Sequence, residues 1–171
     1  MTTKSPYLSN AYRLTDVIAA IQILGSFREA SLPSEKWARK LDKPLSAESW
    51  KIVFAEHPEF FRISEPDDDG NEWVSLRWRH AYDKNFDTEN EKELSDSKVK
   101  ALKLELNNEG LFEKRMIRKR LNSTEIETLI NTAIELHERS IAYATEKRWM
   151  LPLVFGLCGI ILGAILQAAL K

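Results

Sequence analysis

Phe61–Arg79, FRISEPDDDGNEWVSLRWR, decides the fold of the N-terminal half. Phe61 and Ile63 alternate with Arg62 and Ser64, while Val74, Leu76 and Trp78 alternate with Ser75, Arg77 and Arg79. A period of two belongs to a β-strand with one buried face. Between the runs, Asp67-Asp68-Asp69-Gly70-Asn71 carries the Asp-Gly step of a hairpin turn. On this reading Arg77 and Arg79 share one strand face.

Upstream of the hairpin the apolar spacing becomes three and four. Leu14, Val17, Ile18, Ile21 and Leu24 predict a helix opened by Thr15 or Asp16 and stopped at Gly25. Ser31 to Ser34 is a break, after which Ser34 caps a short helix holding Trp37, Ala38 and Leu41, ended by Pro44. Ser46 opens a third helix with Trp50, Val53 and Phe54 as its stripe. It ends at His57-Pro58, because a residue before proline avoids the α region. Residues 1–10 read as a loose tail. Three helices and a hairpin predict a winged-helix-like cytoplasmic domain over residues 1–86.

The open face of the third helix offers Glu48, Ser49, Lys51, Ile52, Ala55 and Glu56, with no Arg, Asn or Gln to read bases. The chain carries 25 basic and 26 acidic side chains, so it has no general attraction for phosphate backbones. The wing tip, Glu65 to Asp69, would repel them. Nucleic acid is therefore disfavoured as a partner. Glu48, Lys51, Arg77 and Arg79 become the candidate contacts for an unidentified cytoplasmic protein. The acidic tip echoes a calcium loop but lacks its length and its final bidentate Glu, which leaves a solvated turn.

Residues 87–122 read as a linker with a short helix, which Ser95 or Asp96 caps and Val99, Leu102 and Leu106 stripe. Its basic cluster, Lys114, Arg115, Arg118, Lys119 and Arg120, places five cations in seven residues. Such a cluster suits anionic lipid headgroups; it is equally a solvated surface balanced by Glu109 and Glu113. Asn122 with Glu125, and Thr124 with Glu127, form two overlapping capping boxes that start a juxtamembrane helix over 123–148. Its seam of Ile130, Ile134, His137, Ile141 and Ala144 fits self-association or packing on the chain's own domain.

The run from Trp149 to Leu170, WMLPLVFGLCGIILGAILQAAL, has no Asp, Glu, Lys, Arg or His. About 20 apolar residues suffice to cross a bilayer as a helix. The expectation is a mainly α chain with a small β-hairpin and one C-terminal transmembrane helix over 149–170. Lys147 and Arg148 before the span would place the N-terminus in the cytoplasm. That describes a single-pass membrane protein with the lipid bilayer as a partner. Gly156, Gly159 and Gly163 offer a helix-packing face for a homo-oligomer. The single cysteine, Cys158, excludes an intramolecular disulfide.

His57, His80 and His137 have no metal-ligand spacing, and no nucleophile or phosphate-loop motif occurs. The expected function is a non-catalytic protein-interaction module without a cofactor. The alternative is a membrane-tethered DNA-binding transcriptional regulator.

Arg13–Gln22, Ala55–Arg62 and Ser75–Arg79, continued by Glu125–Ile130, Leu136–Arg139 and Lys147–Trp149, resemble the corresponding segments of a family of small uncharacterised bacterial membrane-anchored proteins. The resemblance implies an N-terminal winged-helix-like domain and a C-terminal anchor, which would make the membrane a bacterial inner membrane. Some relatives carry the label N-carbamoyl-L-amino acid hydrolase. That label implies a second alternative, metal-dependent amidohydrolysis, which needs a cluster of His and carboxylate ligands. No residue here is assigned to that chemistry.

Overall fold

The computed structural model describes the backbone of residues 5–106 and 108–169, and the side chains of 5–106 and 108–146. Helix α1 spans Arg13–Ser26 and is followed by strand β1, Ser31–Pro33. Helices α2, Ser34–Ala38, and α3, Trp50–Glu56, lead into strands β2, Phe61–Ile63, and β3, Trp73–Leu76. The three strands form an antiparallel sheet in the order β1-β3-β2. Leu32, Val74 and Ile63 sit opposite one another and turn to the core, so their neighbours Ser31, Ser75 and Arg62 line the outer face.

The core is built by the periodicities that predicted it. Val17, Ala20, Ile21 and Leu24 of α1 meet Val53 and Phe54 of α3, Phe61 of β2 and Val74 and Leu76 of β3. Trp37 is fully buried and donates its indole N–H to the Val74 carbonyl at 2.9 Å, which ties α2 to the sheet. Asp16, expected to serve the start of α1, is buried and accepts from the backbone N–H groups of Leu45 and Ser46 and from the Ser46 hydroxyl. The carboxylate thereby pins the loop leading to α3, which starts at Trp50 rather than Ser46.

The hairpin turn closes around Asp67. It accepts from the N–H groups of Asp69 and Asn71 and from the Trp73 indole, which hold its carboxyl below the usual range, while Gly70 takes φ +78°. Past β3 the alternation misleads. Arg77–His80 forms helix α4, so Arg77 and Arg79 do not share a strand face. The Arg77 N–H bonds the Phe60 carbonyl at 2.8 Å, and the chain turns helical there.

The segment expected as a linker folds. Strands β4, Phe86–Asp87, and β5, Lys92–Glu93, pair with β6, Met116–Ile117, in the order β5-β4-β6. Helices α5, Asp96–Leu106, and α6, Glu109–Arg115, enclose a small core of Leu94, Leu102, Phe112 and Met116. The N-terminal tail is also anchored: Pro6–Leu8 makes a 3-10 turn and Tyr7 is buried.

Helix α7, Ser123–Ala169, starts on one of the two capping boxes. The Asn122 N–H donates to Glu125 at 2.8 Å and the Glu125 N–H donates back to Asn122 at 2.9 Å. Leu129 and Ala133 are buried, and Ile126, Ile130 and Leu136 pack against the main core, while Glu127, Asn131, Glu135, Glu138 and Arg139 face solvent. Of the seam that fitted two partners, Ile130 packs on the main core and His137 lies beside Tyr7, while Ile141 is exposed, so the packed face is a different one. Gly25 of α1 allows the approach of α7, since a Cβ there would lie 3.2 Å from the Ile126 side chain.

The fold-class expectation is corrected on the membrane. Among the described residues no helix is long and apolar enough to cross one, so the transmembrane helix and the single-pass inner-membrane placement are not supported. The described part of α7 is amphipathic rather than apolar on every face. Residues 149–170, with Gly156, Gly159 and Gly163, lie outside the described side chains. The described fold is a mainly helical chain with two small antiparallel sheets.

Candidate interaction surface

The candidate contact residues separate into different environments. Glu48 is exposed just before α3. Lys51 is exposed on α3 and pairs with Glu72 of the hairpin at 2.7 Å. Arg77 is exposed but donates its Nε–H to the Pro58 carbonyl.

Arg79 is fully buried and faces inward. Its guanidinium donates to the carbonyls of Leu24, Phe27, Arg28, Glu29, Arg118 and Lys119 at 2.5–3.2 Å. Among the described residues no carboxylate forms an ion pair with it. Six carbonyl dipoles, including those at the negative end of α1, take that place. Burial, then Arg120, pulls its pKa down to about 10. The residue joins α1, α4 and the segment before α7 rather than facing a partner.

The basic cluster is mostly engaged within the chain. Arg115 makes a two-pronged bond to buried Asp87 at 2.9 and 2.8 Å and also pairs with Glu89. Arg118 donates to the Tyr82 carbonyl, and Lys119 pairs with Glu93 at 3.0 Å. The Lys114 carbonyl accepts from Arg28, while the Lys114 and Arg120 side chains are exposed.

Sequence reasoning missed the apolar rim beside α3. Arg13 of α1 pairs with Glu56 of α3 at 2.5 Å and reaches the Ser46 carbonyl, and Asp16 holds Leu45 and Ser46. At this joint Tyr12, Leu45 and Ile52 are 56, 63 and 37% exposed. Each flanks, or lies one turn from, a residue of the joint. They come from three separate segments that meet only through the joint's hydrogen bonds, and no local pattern marks it.

Tyr7 forms a second cluster. Its ring lies 4.5 Å from that of His57 and 5.8 Å from that of His137 on α7. Its hydroxyl donates to Glu59 at 3.3 Å, and the His57 Nδ1 contacts the same carboxylate oxygen at 2.9 Å. Burial raises the Glu59 pKa, but hydrogen bonds from His57, its own backbone and Tyr7 outweigh it and leave the group low. The arrangement pins the N-terminal turn between α3 and α7. Among the described residues no group of three or more His, Cys, Asp or Glu is placed to hold a metal ion.

Comparison with known proteins found no matching family model, no matching curated protein and no matching solved structure.

Proposed function

We propose that the chain is a non-catalytic protein-interaction module, in which a winged-helix-like unit presents the rim of Tyr12, Leu45 and Ile52 to a partner protein. What supports the reading is that three exposed apolar residues each adjoin one fixed joint: Tyr12 precedes Arg13, Leu45 precedes Ser46, and Ile52 lies one turn before Glu56. Isolated exposed apolar residues are ordinary, whereas a rimmed group on a fixed scaffold suits a buried contact. The charges around it favour protein over nucleic acid. Lys51 is paired, Arg77 bonds a carbonyl, Arg79 is buried, and the wing tip is acidic. A phosphate backbone would find little free positive charge there.

Photo-crosslinking from positions 45 and 52 tests this, with position 98 on exposed α5 as control. A recurrent protein adduct from 45 and 52 alone is expected. The competing regulator reading predicts instead a sequence-preferring gel shift of the full chain that weakens steeply with salt.

A further inference from the structure

The outer face of the first sheet carries polar groups that the interaction surface does not use. Strand pairing puts Ser31 opposite Ser75 and Ser75 opposite Arg62, in one row across the sheet. Trp73 and Ser64 continue the face along the strands. His80 of α4 and Arg118, just past β6, close over it, leaving a groove of about 300 Å³. An outer sheet face is ordinarily solvated; here Ser75 is only 3% exposed.

The groove is positively charged and unbalanced. Among the described residues no carboxylate forms an ion pair with Arg62 or Arg118. An Arg62 N–H contacts the Nε2 of His80, and since arginine only donates, that nitrogen accepts. Burial first, then Arg62 and Arg118, holds the His80 pKa below the ordinary histidine value.

Hydrogen-bonding capacity is also left over. The Ser64 hydroxyl is engaged, donating to the Glu65 carbonyl and accepting from the Trp73 N–H. The Ser31 and Ser75 hydroxyls have no hydrogen-bond partner among the described residues. Arg118 uses its Nε–H on Tyr82, which leaves its terminal N–H groups without a partner among them.

We propose that this groove is a binding site for the oxyanion of a phosphate monoester. Arg62 and Arg118 supply charge-assisted N–H donors, and the Ser31 and Ser75 hydroxyls supply neutral ones. Two guanidinium groups answer a doubly charged, multi-oxygen ligand better than a single carboxylate. The groove is roomier than a bare phosphate, and the half-exposed Trp73 ring forms a wall for the organic part of the ester.

The test is a titration of the full chain followed by NMR, reading the His80 ring C–H and Trp73 indole signals. Inorganic phosphate and phenyl phosphate are added separately, with chloride at matched ionic strength as the reference. Saturable shifts with both are expected, with phenyl phosphate binding more tightly. Arg62→Gln should weaken binding by about tenfold or more, as loss of a charge-assisted donor does. Because Arg62 is exposed, this variant should keep the wild-type circular dichroism; Ser75→Ala is a second probe that removes no charge. Shifts no larger than those with chloride would overturn the site. So would unchanged affinity in both variants. Equal binding of the two phosphates would overturn the ester assignment.

Discussion

Arg79 donates a guanidinium N–H to the Leu24 carbonyl at 3.0 Å, across 55 positions of sequence. The bond fixes the end of α1 to the helix that follows the hairpin. Five further carbonyls surround the same side chain. Replacing Arg79 with Met strands buried carbonyls, each costing about 1–3 kcal/mol, with partial relaxation. A total loss of about 3–5 kcal/mol is expected, in line with breaking a buried charged network. Arg79→Lys should recover little of it, since an ammonium cannot reproduce the planar fork. Urea denaturation of the three proteins measures both statements.

Asp87 gives the second sheet a pH dependence. Hydrogen bonds from Arg115 hold its carboxyl well below the usual range; burial opposes them, and Asn90 and the Glu89 N–H add to them. A depressed folded pKa stabilises fully above the unfolded value of about 4, and that contribution fades as pH falls through the folded pKa. Asp87→Asn should cost about 2 kcal/mol at neutral pH, as for a hydrogen bond to a charged group. The gap between variant and wild type should narrow below about pH 4. Denaturation midpoints from pH 7 downward give the comparison, and a gap that widens in acid would contradict it.

Asn122 and Glu125 start α7 reciprocally, and Tyr82 also donates to Glu125. Asn122→Ala should cost about 1 kcal/mol. Amide exchange should quicken over the first turn of α7 and remain unchanged in α5.

Gly25 meets Ile126 and Leu121 where α1 crosses α7, and the Leu121 N–H bonds its carbonyl at 3.0 Å. Gly25→Val should overpack this crossing and cost about 1–3 kcal/mol. A parallel Ile126→Ala change in the same protein should recover part of that loss, because it removes the atoms the new side chain would strike.

These elements divide by what a sequence can express. The alternation of Phe61–Ile63 and Val74–Leu76, the apolar spacing of α1 and the Asn122–Glu125 box were legible because each is a local pattern. Strand β1 was not, since three residues ending in Pro33 show no period and are drawn in by pairing with β3. Strands β4, β5 and β6 are two residues each and left no signal in a charged stretch. Arg79 looked like a surface cation because its six acceptors come from two distant segments, 24–29 and 118–119. The rim and the sheet groove are tertiary for the same reason: Arg13 and Asp16, next to Tyr12, reach across to the loop before α3, and Arg62 reads as a solvent-side strand residue until His80 and Arg118 close over it. The membrane expectation rested on the hydropathy of residues 149–170, its basic flank and the resemblance, and no described helix supports it.

Crosslinking from positions 45 and 52 in the living source cell tests the central claim most directly. The account predicts one recurrent protein adduct from both positions, none from position 98, and its loss when Tyr12 is changed to Glu in a chain that keeps its fold. Adducts formed equally from all three positions, or a sequence-preferring, salt-sensitive DNA complex, would contradict it.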